Sequence, residues 1–353
     1  MTARGPDTRL VATPVVTGRE VLLVVPALNE AAGIEACLRS LLAGDPRLAE
    51  VDVVVADGGS VDDTRRIVAR MQASFPRLSL IDNPQRLQSA GINRAVRHAA
   101  RPRHRYLVRA DAHALYPPGY AMRVADRLAA TGAASVVVPM DSRGTGCFQR
   151  AAAWIVDTPL GSGGSAHRGG RRSGEVDHGH HAGMALDWFH RIGGYDDGFS
   201  HNEDAELDLR LRDQGGRIWL AADLRLDYRM RPDAAALARQ YWNYGRGRAR
   251  TIRKHAVRPR LRQVAPAINL LLLALGALLG VLGALAGSPA MMVAGSLWPM
   301  VYLSALAAAS AWMALRHASP CGLWAGPALA AMHLPWGAGF LTGLLRRREP
   351  KAP

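Results

Sequence analysis

Cysteine is scarce in this chain, and the few cysteines are widely spaced. Cys37, Cys147 and Cys321 are scattered, and no CxxC pair occurs. This cysteine usage is compatible with a reducing, cytosolic compartment, where disulfides are rare. Cys37 lies in a helical pattern and is predicted to be a small core residue. The N-terminus also lacks the charged patch and apolar run of a signal peptide, so none is predicted.

The chain also lacks the motifs of nucleic-acid-binding proteins, although its net charge is +15. It has no zinc-finger spacing, no RNP-like aromatic motif and no basic heptad region. A basic run beside a membrane helix attracts anionic lipid and marks the cytoplasmic side. We therefore expect membrane lipid, and no nucleic acid, as a partner. The basic residues that gather directly before a long apolar block are Arg246, Arg248, Arg250, Arg253, Lys254, Arg258, Arg260 and Arg262.

That apolar block, from Ala265 to Leu345, contains almost no charged residues. It divides into three segments, each of about the length that crosses a bilayer. Three crossings would place Arg346–Arg348 outside, against the positive-inside tendency, whereas a re-entrant third segment with Pro327 and Pro335 would remove the conflict. Two or three crossings therefore remain open. The predicted organisation is an N-terminal tail (1–17), a cytoplasmic catalytic domain (18–255), a basic juxtamembrane linker (256–265), a membrane region (266–345) and a basic tail (346–353).

Short apolar runs alternate with helical patterns in the globular part. We predict strands at Val21–Val25, Val53–Ala56, Leu78–Ile81, Tyr106–Val108 and Ala134–Pro139, with helices between them. This alternation indicates an α/β fold with a mostly parallel sheet and right-handed crossovers. No GxGxxG follows the first strand, which weakens a dinucleotide-binding interpretation.

The second strand ends at an aspartate that is followed by a glycine turn. Asp57 precedes Gly58 and Gly59, and Ser60 and Asp63 are spaced as a capping box for the next helix. A carboxylate is therefore expected at the C-terminal edge of the sheet, where ligands bind in open α/β folds. A capped turn without a ligand explains the same residues about equally well.

Asp111 and His113 follow the fourth predicted strand. Residues two apart in an extended chain point to the same face, so these side chains can share one divalent cation. A carboxylate with an imidazole suits Mn²⁺ somewhat better than Mg²⁺, which prefers oxygen ligands throughout. A turn aspartate beside a surface histidine is the alternative.

Glu203 and Asp204 open a predicted helix. Acidic residues in a first turn interact favourably with the helix dipole, which is the structural explanation. The functional interpretation is a general base that is held at the helix start and faces the same pocket as the metal.

These motifs, in this order, resemble those of the inverting nucleotide-sugar glycosyltransferases of the GT-A fold, often called family 2. The resemblance covers roughly residues 18–250. Val24–Glu30 is similar to the family's opening strand and turn, and Asp57–Thr64 to its nucleotide-binding segment. Asp111–His113 stands where the family has its metal-binding DxD, with His113 replacing the usual second aspartate, and Glu203–Asp204 matches its ED pair. The likeness extends to the succinoglycan-type exopolysaccharide transferases.

The resemblance implies roles for the matching residues. Asp57 would accept a hydrogen bond from the nucleobase, and Asp111 would lie near the ribose and diphosphate and hold the metal with His113. Asp204, beside Glu203, would take the proton from an acceptor hydroxyl as its oxygen attacks the anomeric carbon. The residues implied to bind the donor are Pro26, Asn29, Glu30, Asp57, Gly58, Ser60 and Asp111.

The run Arg239–Arg246 precedes the apolar block and carries Gln240, Trp242 and Arg246. In membrane-bound relatives a comparable segment lies at the bilayer interface and closes over the donor, and Arg246 would contact diphosphate there. A basic juxtamembrane anchor explains the run equally well.

Two stretches have no clear counterpart in the family. Gly161–Gly174 predicts a mobile loop, and His178, His180 and His181 predict a solvated loop more readily than a zinc site.

The sequence thus predicts a multi-pass protein of the cell membrane, a metal-dependent hexosyltransferase with its catalytic domain in the cytoplasm. It would move a sugar from a nucleotide-sugar donor, with UDP-glucose as the first guess, to a hydroxyl of a lipid-linked or growing glycan in exopolysaccharide or cell-envelope synthesis. Other polysaccharide-assembly proteins are candidate partners. The alternatives are a polyprenyl-phosphate sugar transferase and a non-catalytic membrane-bound sugar-nucleotide sensor or scaffold.

Overall fold

A computed structural model of the chain describes residues 15–165 and 168–345. The basic tail with Arg346–Arg348 and most of the N-terminal tail lie outside this part. The strands are β1 (Val21–Ala27), β2 (Asp52–Asp57), β3 (Leu78–Asp82), β4 (Tyr106–Arg109), β5 (Ser135–Val138), β6 (Met140–Arg143), β7 (Gly174–Glu175), β8 (His180–Ala185), β9 (Ile218–Leu220) and β10 (Leu226–Arg229).

Helices fill the connections between these strands and form the C-terminal part of the chain. They are α1 (Ile34–Leu41), α2 (Thr64–Gln72), α3 (Gln88–Ala99), α4 (Tyr120–Thr131), α5 (Cys147–Val156), α6 (Pro159–Ser162), α7 (Leu186–Arg191), α8 (Glu203–Asp213), α9 (Ala234–His255), α10 (Leu261–Leu285), α11 (Pro289–Arg316) and α12 (Ala325–Leu345).

The main sheet has the strand order β3-β2-β1-β4-β8-β5-β9-β7. Strands β3, β2, β1 and β4 are parallel, β8 runs antiparallel between β4 and β5, and β7 is antiparallel to β9. This mostly parallel sheet with flanking helices confirms the predicted fold class. Because β1 lies between β2 and β4, the strand order reverses beside it, and Asp57 and Asp111 lie at the C-terminal edge next to this switch point.

Alternate residues of β1 point to two separate apolar cores. Leu23 and Val25 join the core on one face of the sheet, and Leu22 and Val24 join the core on the other. This two-sided burial explains the uninterrupted apolar runs in the sequence.

Strand β8 was not predicted, and it corrects the expectation of a solvated histidine loop. His181 is buried within this strand, and His180 is only partly exposed. A Cβ atom at Gly183 would lie 2.6 Å from Val124, so the glycine lets α4 pack closely on the strand. This pairing depends on tertiary neighbours, because the sequence of the strand has no β-branched residue.

The predicted capping box after β2 was wrong. Helix α2 begins at Thr64, and the side chain of its N-cap residue Asp63 makes no capping hydrogen bond. The Ser60 hydroxyl instead donates to Asp57 over 2.5 Å, and Asp62 accepts from the Thr64 amide over 3.0 Å. The buried Asp57 carboxylate therefore holds the turn together.

The described part of the chain contains three segments long and apolar enough to cross a membrane: Leu261–Leu285, Pro289–Arg316 and Pro320–Leu345. In their most apolar windows, the first two are 11% and 6% buried, whereas the third is 39% buried. The third segment is therefore the one that packs most extensively against the rest of the protein.

Helix α12 packs along α9, and glycines permit the close approach. A Cβ atom at Gly339 would lie 2.2 Å from the carbonyl oxygen of Trp242, and one at Gly245 would lie 2.2 Å from that of Trp336. Small residues allow helix backbones to pack at short distance. This contact joins the catalytic domain to the apolar helices without an extended linker.

Cys147 and Cys321 form a disulfide across 174 residues of sequence, whereas Cys37 is free and buried. The core position predicted for Cys37 is confirmed. The pairing of the other two was not predicted, so cysteine usage no longer supports a reducing compartment.

Candidate functional site

A cavity of about 1290 Å³ begins at the C-terminal edge of the sheet and extends to the apolar helices. Arg109, Asp111, Glu203 and Asp204 line its sheet end. Side chains from α10, α11 and α12 line its other end: Ile268, Asn269, Leu272, Trp298, His333 and Trp336. One cavity therefore connects the acidic motifs with the apolar helices.

Arg109 connects two of these carboxylates. It lies at the end of β4, is 6% exposed, and places its two terminal nitrogens 2.7 Å from Asp204 and 2.9 Å from Asp111. Burial alone would raise the pKa of Asp111, but the charge and hydrogen bond of Arg109, together with nearby histidines, outweigh it and hold that pKa well below its usual range. Asp111 is therefore a permanently ionised group in the cavity.

Asp204 and Glu203 differ in their surroundings, although they are adjacent. The same Asp204 oxygen accepts hydrogen bonds from Arg109 and from the Tyr195 hydroxyl, at 2.7 and 3.1 Å. Burial, followed by the nearby charge of Asp204, raises the pKa of Glu203 above its ordinary value. Active sites often shift the pKa of an ionisable group, and in this pair the raised pKa belongs to Glu203.

Contacts with α9 fix the start of α8. Asn202, directly before Glu203, has a left-handed φ of 67° and donates through its side chain to Thr251 on α9 over 2.8 Å. A Cβ atom at Gly247 would lie 2.7 Å from Asn202. Helix α9 therefore helps to position the acidic pair.

The residues expected to bind the nucleotide form a compact group. Asp57 accepts from the Gly59 and Ser60 amides and from Arg65, at 3.0, 3.1 and 2.8 Å. The Ser60 hydroxyl also accepts from the Asn29 amide over 2.9 Å. Burial opposes ionisation of Asp57, but its hydrogen bonds from Ser60 and Arg65 keep its pKa below the usual value.

Asp57 is nevertheless fully buried, and neither it nor Pro26, Asn29 and Glu30 lines the large cavity. The three acidic positions 57, 111 and 204 therefore do not share one cavity wall and fall into two groups. Asp57 is joined to Asn29 through Ser60, whereas Asp111 and Asp204 share Arg109.

His113 turns toward Glu30, with 3.2 Å between the imidazole Nδ1 and a carboxylate oxygen, and this hydrogen bond raises the pKa of His113. A different histidine, His180 on β8, places its Nε2 3.6 Å from the second oxygen of Asp111. In residues 15–165 and 168–345, no group of three or more His, Cys, Asp and Glu side chains is arranged to hold a metal ion. A cation here would need ligands from its substrate as well as from the protein.

The other two histidines of the unassigned cluster neutralise a buried carboxylate. His178 and His181 lie 2.6 and 2.8 Å from the two oxygens of Asp208, and these contacts hold the pKa of Asp208 well below its usual range despite burial. Sequence reasoning missed His180 and Asp208. The dense run of histidines was the sequence signal that could have indicated a buried polar cluster here.

The three candidate residues of α9 differ in their position relative to the cavity. Gln240 lines the cavity and donates to Tyr228 and Tyr244 over 2.7 and 3.0 Å. Trp242 and Arg246 do not line it, since α12 packs against the backbone at both positions. The loop predicted to be mobile also contributes, because Gly161, Ser165 and other described residues up to Arg168 lie along the cavity wall.

Comparison with known proteins shows which family this chain belongs to. The family model described as "Glycosyl transferase family 2" matches residues 22–193. The chain is 43% identical over 336 residues to the succinoglycan biosynthesis protein ExoA of Rhizobium meliloti (strain 1021), covering 94% of this chain and 98% of that protein. The chain belongs to glycosyl transferase family 2. The resemblance found in the motifs is thereby confirmed.

A solved structure supports the fold of this glycosyltransferase. The mannosyltransferase PcManGT from Pyrobaculum calidifontis, in complex with GDP-Man and Mn²⁺, matches with a TM-score of 0.53 at 20% identity. The match covers 89% of this chain and 86% of that one, so it includes the C-terminal helices as well as the sheet.

Proposed function

We propose that this glycosyltransferase is anchored in the membrane and transfers a hexose, with inversion, from a nucleoside-diphosphate sugar to a hydroxyl of a lipid-linked glycan in exopolysaccharide synthesis. One observation carries the proposal. The cavity that contains Asp111 and Asp204 continues to α10, so an acceptor with a glycan head and an apolar chain fits it. Family membership favours this enzyme over a sugar-nucleotide sensor.

The comparisons support the substrate classes. The relative that is similar along almost its whole length is named for succinoglycan biosynthesis, which favours an exopolysaccharide product. The fold neighbour holds GDP-Man, which favours a nucleoside-diphosphate sugar as donor. UDP-glucose is the first donor to test.

The residues suggest a single displacement. Asp204 takes the proton of the acceptor hydroxyl while that oxygen bonds to the anomeric carbon and the bond to the diphosphate breaks, so an α-linked donor gives a β-linked product. Arg109 and Tyr195 hold the Asp204 carboxylate in place. Burial raises the pKa of Glu203, and when protonated this residue adds no second negative charge beside Asp204.

The side chains fit a divalent cation held chiefly by Asp111. Burial and nearby charges leave the pKa of its carboxyl below the usual range, and the His180 imidazole lies 3.6 Å from its second oxygen, with His113 as the other candidate ligand. Mn²⁺ and Mg²⁺ are commonly held by one or two protein groups together with substrate phosphates and water. Such an ion would neutralise charge on the departing nucleoside diphosphate. EDTA should stop transfer and Mn²⁺ should restore it, whereas full activity in excess EDTA would remove the metal from the proposal.

For the membrane region we favour two crossings, by α10 and α11, with α12 at the interface. The support is the greater burial of the third segment and its contact with α9 along the catalytic domain. This arrangement keeps both basic ends of the membrane region on the cytoplasmic side, as the positive-inside tendency requires.

A polyprenyl-phosphate sugar transferase is a second candidate, and one observation favours it. Arg109 and Tyr195 already donate to one oxygen of Asp204, so that oxygen is less available to an acceptor hydroxyl. A phosphate acceptor is already anionic and needs no strong base.

The proposal is tested with the purified full chain in lipid nanodiscs, Mn²⁺, a panel of radiolabelled nucleotide sugars and a lipid extract from cells that make the polysaccharide. We expect label to move into the lipid-extractable fraction from one donor. No transfer from any donor, with nucleotide binding intact, would contradict an enzymatic function.

A further inference from the structure

Arginines without carboxylate partners line the large cavity. Many arginines of the catalytic domain pair with an acidic side chain, as Arg47, Arg65 and Arg210 do. In the described part of the chain, no ion pair involves the cavity arginines Arg168, Arg231, Arg239, Arg248 and Arg262. A cavity wall with unpaired cations is complementary to an anionic ligand.

Arg248 is the most enclosed of these cations. It extends from α9, and its Nε is inaccessible to solvent and has no hydrogen-bond partner. Burial, together with the charges of Arg262 and Arg260, lowers the pKa of Arg248 to about 10. A partly buried cation beside other cations is stabilised when an anion binds there.

The arginine pair lies next to the apolar part of the cavity. Arg262 is in the first turn of α10 and donates to the carbonyl of Gly163 over 3.2 Å. Farther along α10, Asn269 lines the cavity with a buried side-chain nitrogen that has no hydrogen-bond partner, and Leu272 follows it. A ligand that spans these residues must be anionic at one end and apolar at the other.

The residues expected to bind the nucleotide are elsewhere. Pro26, Asn29 and Asp57 do not line this cavity, so we expect the nucleotide to bind outside it, on the side of the sheet edge where these residues lie. The diphosphate of the donor is therefore expected near Asp111, and the anion at Arg248 is a different one.

We propose that Arg248 and Arg262 bind the phosphate or diphosphate of a polyprenyl-linked acceptor, and that the first isoprene units lie along α10 at Ile268 and Leu272. This inference rests on the proposed function, and it adds the site at which the lipid phosphate of the acceptor binds. The same phosphate chemistry occurs in free nucleotides, and the test separates the two sources.

The test uses the full chain in nanodiscs, with geranylgeranyl diphosphate as the probe and with geranylgeraniol and UDP in parallel. Arg248→Gln and Arg262→Gln should each weaken binding of the prenyl diphosphate about tenfold or more, because each removes charged hydrogen bonds. The Kd for UDP should change by less than about twofold in either variant, because these arginines are not expected to contact the nucleotide. Arg258→Gln, at an exposed cation of the same basic stretch that does not line the cavity, is the matched control.

Three results would overturn the site: geranylgeraniol binding as tightly as the diphosphate, an equal loss in Arg258→Gln, or a larger loss for UDP than for the prenyl probe. Because Arg262 is exposed, its variant remains informative if Arg248→Gln does not fold. Transfer assays separate the two proposals. If both variants lose binding of the prenyl diphosphate but the wild-type protein transfers no sugar, the proposed function is contradicted and the site is not. If both variants transfer sugar normally with an unchanged KM for the acceptor, the site is contradicted and the proposed function is not.

Discussion

The guanidinium of Arg109 lies 2.7 Å from the carboxylate of Asp204, which is 95 residues away in the sequence. The same group contacts Asp111, so one buried cation sets the separation of the candidate general base and the candidate metal ligand. Neither carboxylate can shift without disturbing the other. This arrangement makes Arg109 the positioning residue of the site.

Asp204→Asn should lower kcat by about 10²- to 10⁴-fold, because asparagine cannot take a proton from the acceptor. Binding of the donor should stay within a few-fold of the wild type, as measured by titration with the nucleotide sugar. Asp213→Asn, at an exposed position of the same helix, should leave both unchanged. Undiminished turnover in Asp204→Asn would instead favour the polyprenyl-phosphate transferase.

Arg109→Met should destabilise the protein by about 3 kcal/mol, because it leaves the partly buried Asp111 and Asp204 without their shared counter-charge. Arg105→Met is the matched control. That arginine is paired with Glu20, its side chain is 57% exposed, and its loss should cost at most ~1 kcal/mol. The measurement is the midpoint of thermal unfolding in nanodiscs. Similar shifts in the two variants would show that Arg109 makes no special contribution.

Stability should fall as pH rises through the titration of Glu203. Because the pKa of its carboxyl is raised in the folded protein above 4.5, the folded state holds a proton that the unfolded state has lost. Glu203→Gln should remove this component, giving a flatter unfolding midpoint between pH about 5 and about 8. Glu175→Gln, at an exposed carboxyl, should keep the slope of the wild type. A wild-type slope in Glu203→Gln would contradict the shift.

Maleimide labelling of the denatured protein should modify one thiol before reduction and all three cysteines after it, because Cys147 and Cys321 are paired. Mass spectrometry counts the labels. Cytosolic disulfides are rare, so the result also bears on the cytoplasmic placement of the catalytic domain. Three labels without reduction would show that the pair is not oxidised in the isolated protein.

The apolar strands and the acidic motifs could be read from the sequence because their signals are local. A buried strand needs a short apolar run, and a ligand-binding edge needs a polar turn after it, as at Asp57 and Asp111. The membrane region was predicted to begin at residue 266, whereas α10 begins at Leu261, because hydropathy marks the bilayer and not the first helical turn.

The missed features depend on contacts between distant residues. Strand β8 was overlooked because its residues have low strand propensity. Its pairing with β4 and β5 stabilises the extended conformation instead. His180 reaches Asp111, and the Nε of Arg248 is left without a hydrogen-bond partner, only because of how β8 and α9 are placed. No local pattern encodes either outcome.

The sequence by itself determined the family, the α/β class, the apolar C-terminal helices and the acidic residues that can do chemistry, since each follows from residue type and spacing. Only the tertiary structure decided that Arg109 joins Asp111 to Asp204, that α12 packs on α9, and that one cavity connects the carboxylates with the apolar helices. The physical reason is that ion pairs, close helix contacts and cavities are made by residues far apart in the chain, and their meeting depends on the topology of the whole fold.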